Sequence, residues 1–203
     1  MYPAIKNYCD TRTSQFNEIP EERKVLLERI SQYIAKKKLH VQPINLVYIC
    51  THNSRRSHFG QIWAKVASVY YGVSDINTYS GGTEATAFNS NAINSLIRTG
   101  FKIKPINFDK NSAYHVHFDD ALPPIECFSK VYDDPKNPQK DFAAIMTCSD
   151  AEENCPFIPG VELRIGTTYD DPKAFDNTPQ QDAKYDERCR QIALETLYVF
   201  SKL

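Results

Sequence analysis

The segment that most constrains this chain is Ile44-Asn45-Leu46-Val47-Tyr48-Ile49, introduced by Pro43. It is short, mostly apolar and rich in β-branched residues, the pattern of a parallel strand buried on both faces. Cys50-Thr51-His52-Asn53-Ser54-Arg55-Arg56-Ser57 follows at once, and then a helical stripe of Phe59, Ile62, Trp63, Val66 and Tyr70. A buried strand feeding a loop and then a helix commits the chain to parallel crossovers. That means a sheet covered on both faces, with ligands beyond the carboxyl ends of its strands.

The remaining segments fit this plan. Ile76–Ser80 reads as a second strand closed by Gly81-Gly82, Phe142–Thr147 as a third, and Val161–Ile165 as a weaker fourth. Asn89 or Ser90 can cap a helix with apolar Ala92, Ile93, Leu96 and Ile97, ended by Gly100. Thr178-Pro179-Gln180-Gln181 has capping-box spacing ahead of a helix carrying Tyr185, Cys189, Ile192, Leu197 and Phe200. Residues 1–42 read as an extension with one helix, from Pro20 to Lys38, after a polar surface stretch; 43–203 form the main domain. Residues 104–141, dotted with prolines, read as a long insertion with little regular structure.

A formal charge of −1 gives no electrostatic case for nucleic acid or an acidic membrane surface, so an anion must be caught by a local site. No apolar run at the start resembles a signal peptide and none is long enough to span a bilayer, so a cytoplasmic protein is expected. Thiols are reduced in that compartment, and six cysteines there point to thiol chemistry or metal before disulfides.

The loop supplies the chemistry. Cys50 and Arg56 are separated by five residues, a length over which backbone N–H groups can converge into an anion nest beside a helix start. Arg56 can fork onto two oxygens of the anion, and Ser57 can hydrogen-bond the sulfur, favouring the thiolate that nucleophilic attack needs. Asn53 suits a left-handed loop residue. The Cys-X5-Arg spacing alone is a weak signal; its position between strand and helix, with Asn53 and Ser57 in place, makes it strong. Backbone and side chains of Thr51, His52, Asn53, Ser54, Arg55 and Ser57 are the expected oxyanion-binding set. His115-Val116-His117 could present two ligands from one strand, but no closed set of four accompanies them and no metal is expected.

Leu46–Ser57, Tyr79-Ser80-Gly81-Gly82-Thr83-Glu84 and the stretch from Met146 onward resemble the low-molecular-weight protein tyrosine phosphatase superfamily, which includes the thioredoxin-coupled arsenate reductases. The resemblance implies an α/β three-layer sandwich with a central four-stranded parallel sheet, plus the N-terminal helical extension. It makes Cys50 the nucleophile and Arg56 the oxyanion binder acting on arsenate, phosphate or a phosphorylated substrate. It also implies an aspartate that protonates the leaving oxygen. Two Asp-Asp-Pro sites offer one, and Asp171, after the fourth strand, is preferred to Asp134.

Cys148 and Cys155, after the third strand, resemble the resolving pair of the reductases. The implied relay passes a disulfide from Cys50/Cys148 to Cys148/Cys155 and out to a thioredoxin-type reductant. Pro172-Lys173-Ala174-Phe175 lacks the tyrosine that phosphatases of this group usually place after the acid, which leans the reading towards arsenate reduction; phosphatase and inactive binding relative are the alternatives. The chain departs from the family where His52 replaces a common glycine, Arg55 a frequent cysteine, and Gln61 a glutamate associated with a potassium site. Potassium is therefore not expected.

Overall fold

A computed structural model describes residues 1–154 and 157–203. In chain order the main elements are α1 (Pro3–Thr13), α2 (Glu21–Leu39), β1 (Ile44–Cys50), α3 (Arg56–Tyr70), β2 (Ile76–Gly82) and α4 (Ser90–Thr99). They continue with β3 (Lys102–Pro105), β4 (Tyr114–His117), β5 (Ile125–Cys127), β6 (Phe142–Met146), α5 (Ser149–Asn154), β7 (Val161–Gly166) and α6 (Gln181–Phe200).

The central sheet has the order β2-β1-β6-β7 and every pair is parallel. Burial on both faces explains why β1 and β6 are near-continuous apolar runs: Leu46, Tyr48, Ala143 and Ile145 face one layer, Val47, Ile49, Ala144 and Met146 the other. The first layer is the larger. There α3 and α6 cover the sheet, with Phe59, Ile62, Trp63, Ile192 and Leu197 sealed between them.

Three segments differ from the sequence reading. Residues 1–42 hold two helices, not one. α1 buries Ile5 and Cys9, one helical turn apart, among otherwise polar positions, so two anchors dock it where its amphipathic stripe is too thin to detect. The insertion is not irregular: β3, β4 and β5 form a second, antiparallel sheet, anchored by Val116, Phe118, Ile125 and Cys127 in the main core. Its strands of three or four residues are too short to show alternation. At α6 the capping box does not form. The helix begins at Gln181 with no side-chain cap; the Thr178 hydroxyl donates to the Phe175 carbonyl and accepts the Gln180 N–H (3.2 Å), while the Gln181 side chain accepts the Asn177 N–H (2.9 Å).

Elsewhere local chemistry matches. The Asn89 side chain accepts from the N–H groups of Asn91 and Ala92, and Gly100 ends α4 at φ 112°. Among the described residues no helix is long and apolar enough to cross a membrane.

Candidate active site

β1 and β2 run in register to their ends, so Cys50 lies opposite Gly82 at the carboxyl edge of the sheet. The chain then turns through Thr51–Arg55 into α3. The carbonyls of this turn are claimed from outside. Thr51 accepts from Glu84 N–H (2.8 Å), His52 from the Thr86 and Ser129 hydroxyls (3.1 and 3.0 Å), and Ser54 from Asn89 N–H (3.0 Å). With its carbonyls tied outward, the loop leaves the N–H groups of residues 51–55 without a protein acceptor among the described residues. Unmet donors at a helix start are what an anion-binding nest requires. Gly82 permits the approach: a Cβ there would lie 2.6 Å from the Thr51 carbonyl oxygen and 2.7 Å from the Asn53 nitrogen.

Asn53 holds the loop's shape. It sits at φ 42°, in the left-handed region; its amide donates to Ser57 Oγ (2.8 Å), and its Oδ1 accepts the Lys130 N–H (2.8 Å). Ser57 Oγ in turn lies 3.1 Å from Cys50 Sγ. Because that oxygen already accepts from Asn53, its own proton is free for the sulfur.

Arg56 is buried at the start of α3. It donates to the Tyr169 carbonyl (2.7 Å) and to Asp171 Oδ2 (2.6 Å), while its Nε meets no acceptor among the described residues. Asp171 thus reaches the loop from the turn after β7, and its Oδ1 accepts the Lys173 N–H (3.0 Å). Asp134 faces elsewhere: its carboxylate accepts the Lys136 N–H (2.9 Å) within its own turn.

Arg55, expected among the oxyanion contacts, sends its guanidinium towards α6 instead. It donates to Tyr185 Oη (2.8 Å) and lies 3.5 Å from Asp176 and 3.9 Å from Asp171. Three nearby acceptors outcompete an open loop for a nearly buried guanidinium. His52 stays partly exposed, 3.7 Å from Glu84, and the Ser54 hydroxyl is spent on the Ala87 carbonyl (2.7 Å).

Cys148 follows β6, the strand beside β1, and is buried. Its sulfur lies 3.4 Å from the Thr51 hydroxyl and accepts the Ala151 N–H at 3.4 Å. The Thr51 hydroxyl donates to Asp150 (2.7 Å), which with the Asn154 amide holds that carboxyl below its ordinary range. Cys155 lies outside the described residues. Burial pushes the thiols of Cys9 and Cys127 up to about 12 and that of Cys189 to about 11. Gln61 reaches the Glu126 carbonyl (3.4 Å). Among the described residues no group of three His, Cys, Asp or Glu side chains is arranged to hold a metal ion.

Sequence reading did not single out Ser129, Lys130, Thr83, Thr86, Tyr185 or Asp176. They brace the loop from 30 or more positions away, and no local pattern marks such contacts.

No protein-family model matches the chain. Curated relatives do. It is 26% identical over 157 residues to an arsenate reductase of Bacillus licheniformis, covering 77% of this chain and 94% of that protein. It is 29% identical over 128 residues to an arsenate reductase of Staphylococcus aureus strain Newman, covering 63% and 77%. Among solved structures it resembles an arsenate reductase in the phosphate-binding state (TM-score 0.53, 16% identity, 78% of this chain and 98% of that one). It also resembles a low-molecular-weight phosphotyrosine phosphatase of Vibrio cholerae (TM-score 0.52, 12% identity, 78% and 95%). In its four-stranded parallel sheet and in its sequence relatives the chain is similar to the enzymes of the low-molecular-weight protein tyrosine phosphatase superfamily, arsenate reductases among them.

Proposed function

We propose that this enzyme reduces arsenate to arsenite through Cys50, Cys148 and Cys155. The observation that carries the reading is the second thiol beside the loop: Cys148 stands at the end of the neighbouring strand, its sulfur 3.4 Å from the Thr51 hydroxyl. A phosphatase has no use for it. The names of the sequence relatives support the same reading.

Arsenate enters the loop and meets the free N–H groups and the Arg56 guanidinium, which moves from Asp171 onto the anion. The Cys50 thiolate attacks arsenic, and a hydroxide leaves as water with the proton of Asp171, giving a Cys50 thioarsenate. The Cys148 thiolate then attacks Cys50 Sγ. The electron pair of the S–As bond goes to arsenic, which leaves as arsenite, reduced by two electrons, and a Cys50–Cys148 disulfide remains. Cys155 attacks Cys148 and releases Cys50. A dithiol of the thioredoxin type reduces the Cys148–Cys155 disulfide and is itself oxidised.

Phosphate-monoester hydrolysis needs only Cys50, Arg56 and Asp171, so it is the competing activity. One feature counts against a phosphotyrosine substrate: Tyr169, the aromatic residue nearest Asp171 in sequence, is buried with its hydroxyl on Glu195 (2.8 Å), so it offers no ring to a ligand. The test compares arsenate-dependent oxidation of thioredoxin with aryl phosphate hydrolysis by one preparation. Thioredoxin oxidation that disappears in Cys148→Ser supports the relay. Aryl phosphate turnover without arsenate reduction would overturn it.

A further inference from the structure

Away from the loop, the insertion folds across the outer edge of β2 and leaves a cavity of about 460 Å³ between β2, α3 and residues 123–136. Its apolar wall comes from Ile76, Pro124 and Ile125, with the rings of Tyr79 and Phe128 beside them. Its charged lining is cationic on balance: Lys65, Lys130 and Lys136 against the single carboxylate of Glu126.

The three lysines are not equivalent. Lys136 is exposed and paired with Glu126 at 2.6 Å, and Lys65 donates to the Ile76 carbonyl at 3.2 Å. Lys130 is only 5% exposed, and its ammonium makes no hydrogen bond or ion pair among the described residues; the carboxylates of Asp134 and Glu126 act on it only from longer range. Its one close partner is the Phe128 ring, 4.6 Å away, over which Lys136 also sits at 4.8 Å. Lysine is almost never this buried without a counter-charge, because desolvating an unpaired ammonium is costly. Burial pulls its proton affinity down. A charge kept in that position beside an aromatic wall and an open cavity is a recognition element in want of its anion.

We propose that this cavity binds a small aryl anion, whose charged group pairs with Lys130 and whose ring packs against Phe128 and Tyr79. The site is separate from the catalytic loop. Lys130 touches Asn53 through its backbone N–H, not through its ammonium, and Arg56 is not in the lining.

The probe is 2-naphthalenesulfonate, titrated calorimetrically into the full chain. The wild type binds one equivalent saturably. Lys130→Met, which keeps the length of the side chain and removes the buried charge, weakens binding at least tenfold. Arg56→Ala, which disables the loop, binds within twofold of wild type. Phe128→Leu leaves Lys130 in place and weakens binding several-fold, and it decides the matter should Lys130→Met fail to fold. No saturable binding by the wild type, binding undiminished in folded Lys130→Met, or binding lost in Arg56→Ala overturns the proposal.

Discussion

The chain contains Asp-Asp-Pro twice, and the two copies make the same turn but arrive in different places. In each, the second aspartate accepts the N–H two residues on: Asp134 from Lys136 at 2.9 Å, Asp171 from Lys173 at 3.0 Å. This is the local turn that aspartate before proline favours. Asp134 then sits in the insertion, its backbone tied to Val131 and Asn137. Asp171 hangs from the carboxyl end of β7, where its second oxygen meets Arg56 at 2.6 Å. The tripeptide makes the turn, and the strand before it decides whether the carboxylate reaches the Cys50–Ser57 loop.

The largest effect tests whether a reaction exists for Asp171 to serve. Cys50→Ser should lower turnover of either substrate by more than about 10⁴-fold, as loss of a nucleophile does. Residual turnover near wild type would leave neither aspartate a role. The direct contrast follows. Asp171→Asn should slow turnover about 10²- to 10⁴-fold with oxyanion binding nearly intact, while Asp134→Asn stays within about twofold. The reverse result would exchange their roles.

Acid sensitivity sets the pH range in which that contrast can be read. His58, buried against Phe88 with ring centroids 4.1 Å apart, is pushed down to about 3 because burial penalises its charged form. The unfolded chain therefore takes up this proton first. The contribution of neutral His58 is complete above its ordinary value of about 6.5 and is lost as pH falls towards 3, about 2 kcal/mol at pH 5. Urea unfolding at pH 7.5 and pH 5 should show that loss in the wild type and a smaller one in His58→Phe. The smallest effect concerns the support behind Asp171. Tyr185→Phe removes the hydroxyl that accepts from Arg55 and donates to Asp176. It should lower kcat about three- to tenfold with KM unchanged, as expected of a positioning residue. An unchanged kcat would show that Arg56 alone holds the acid.

How much was legible in the sequence follows from the range of each interaction. β1, the loop, Asn53 in a left-handed conformation and the Asn89 and Gly100 ends of α4 are local events, and residue type with spacing announces them. α1 escaped because two buried positions in eleven residues make no visible stripe. The second sheet escaped because its strands are shorter than one alternation cycle needs. The partners of the Arg55 guanidinium were not legible because Tyr185 and Asp176 lie more than a hundred residues away along the chain. The Thr178 capping box is displaced by one position at each end: the Thr178 hydroxyl accepts the N–H of Gln180 and not of Gln181, and the Gln181 side chain accepts that of Asn177 and not of Thr178.

One contact reaches further than its distance suggests. Arg23 of α2 pairs with Glu195, a buried carboxylate that also receives the Tyr169 hydroxyl, and the Tyr169 carbonyl receives Arg56. Four residues from four segments therefore hand one another along from α2 to the guanidinium at the start of α3. A chain trimmed to begin at Pro43 would abandon Glu195 in the interior with its charge unanswered and slacken the strut under Arg56. The leading forty-odd residues buttress the loop, and homology trimmed to the shared core would cut through that support.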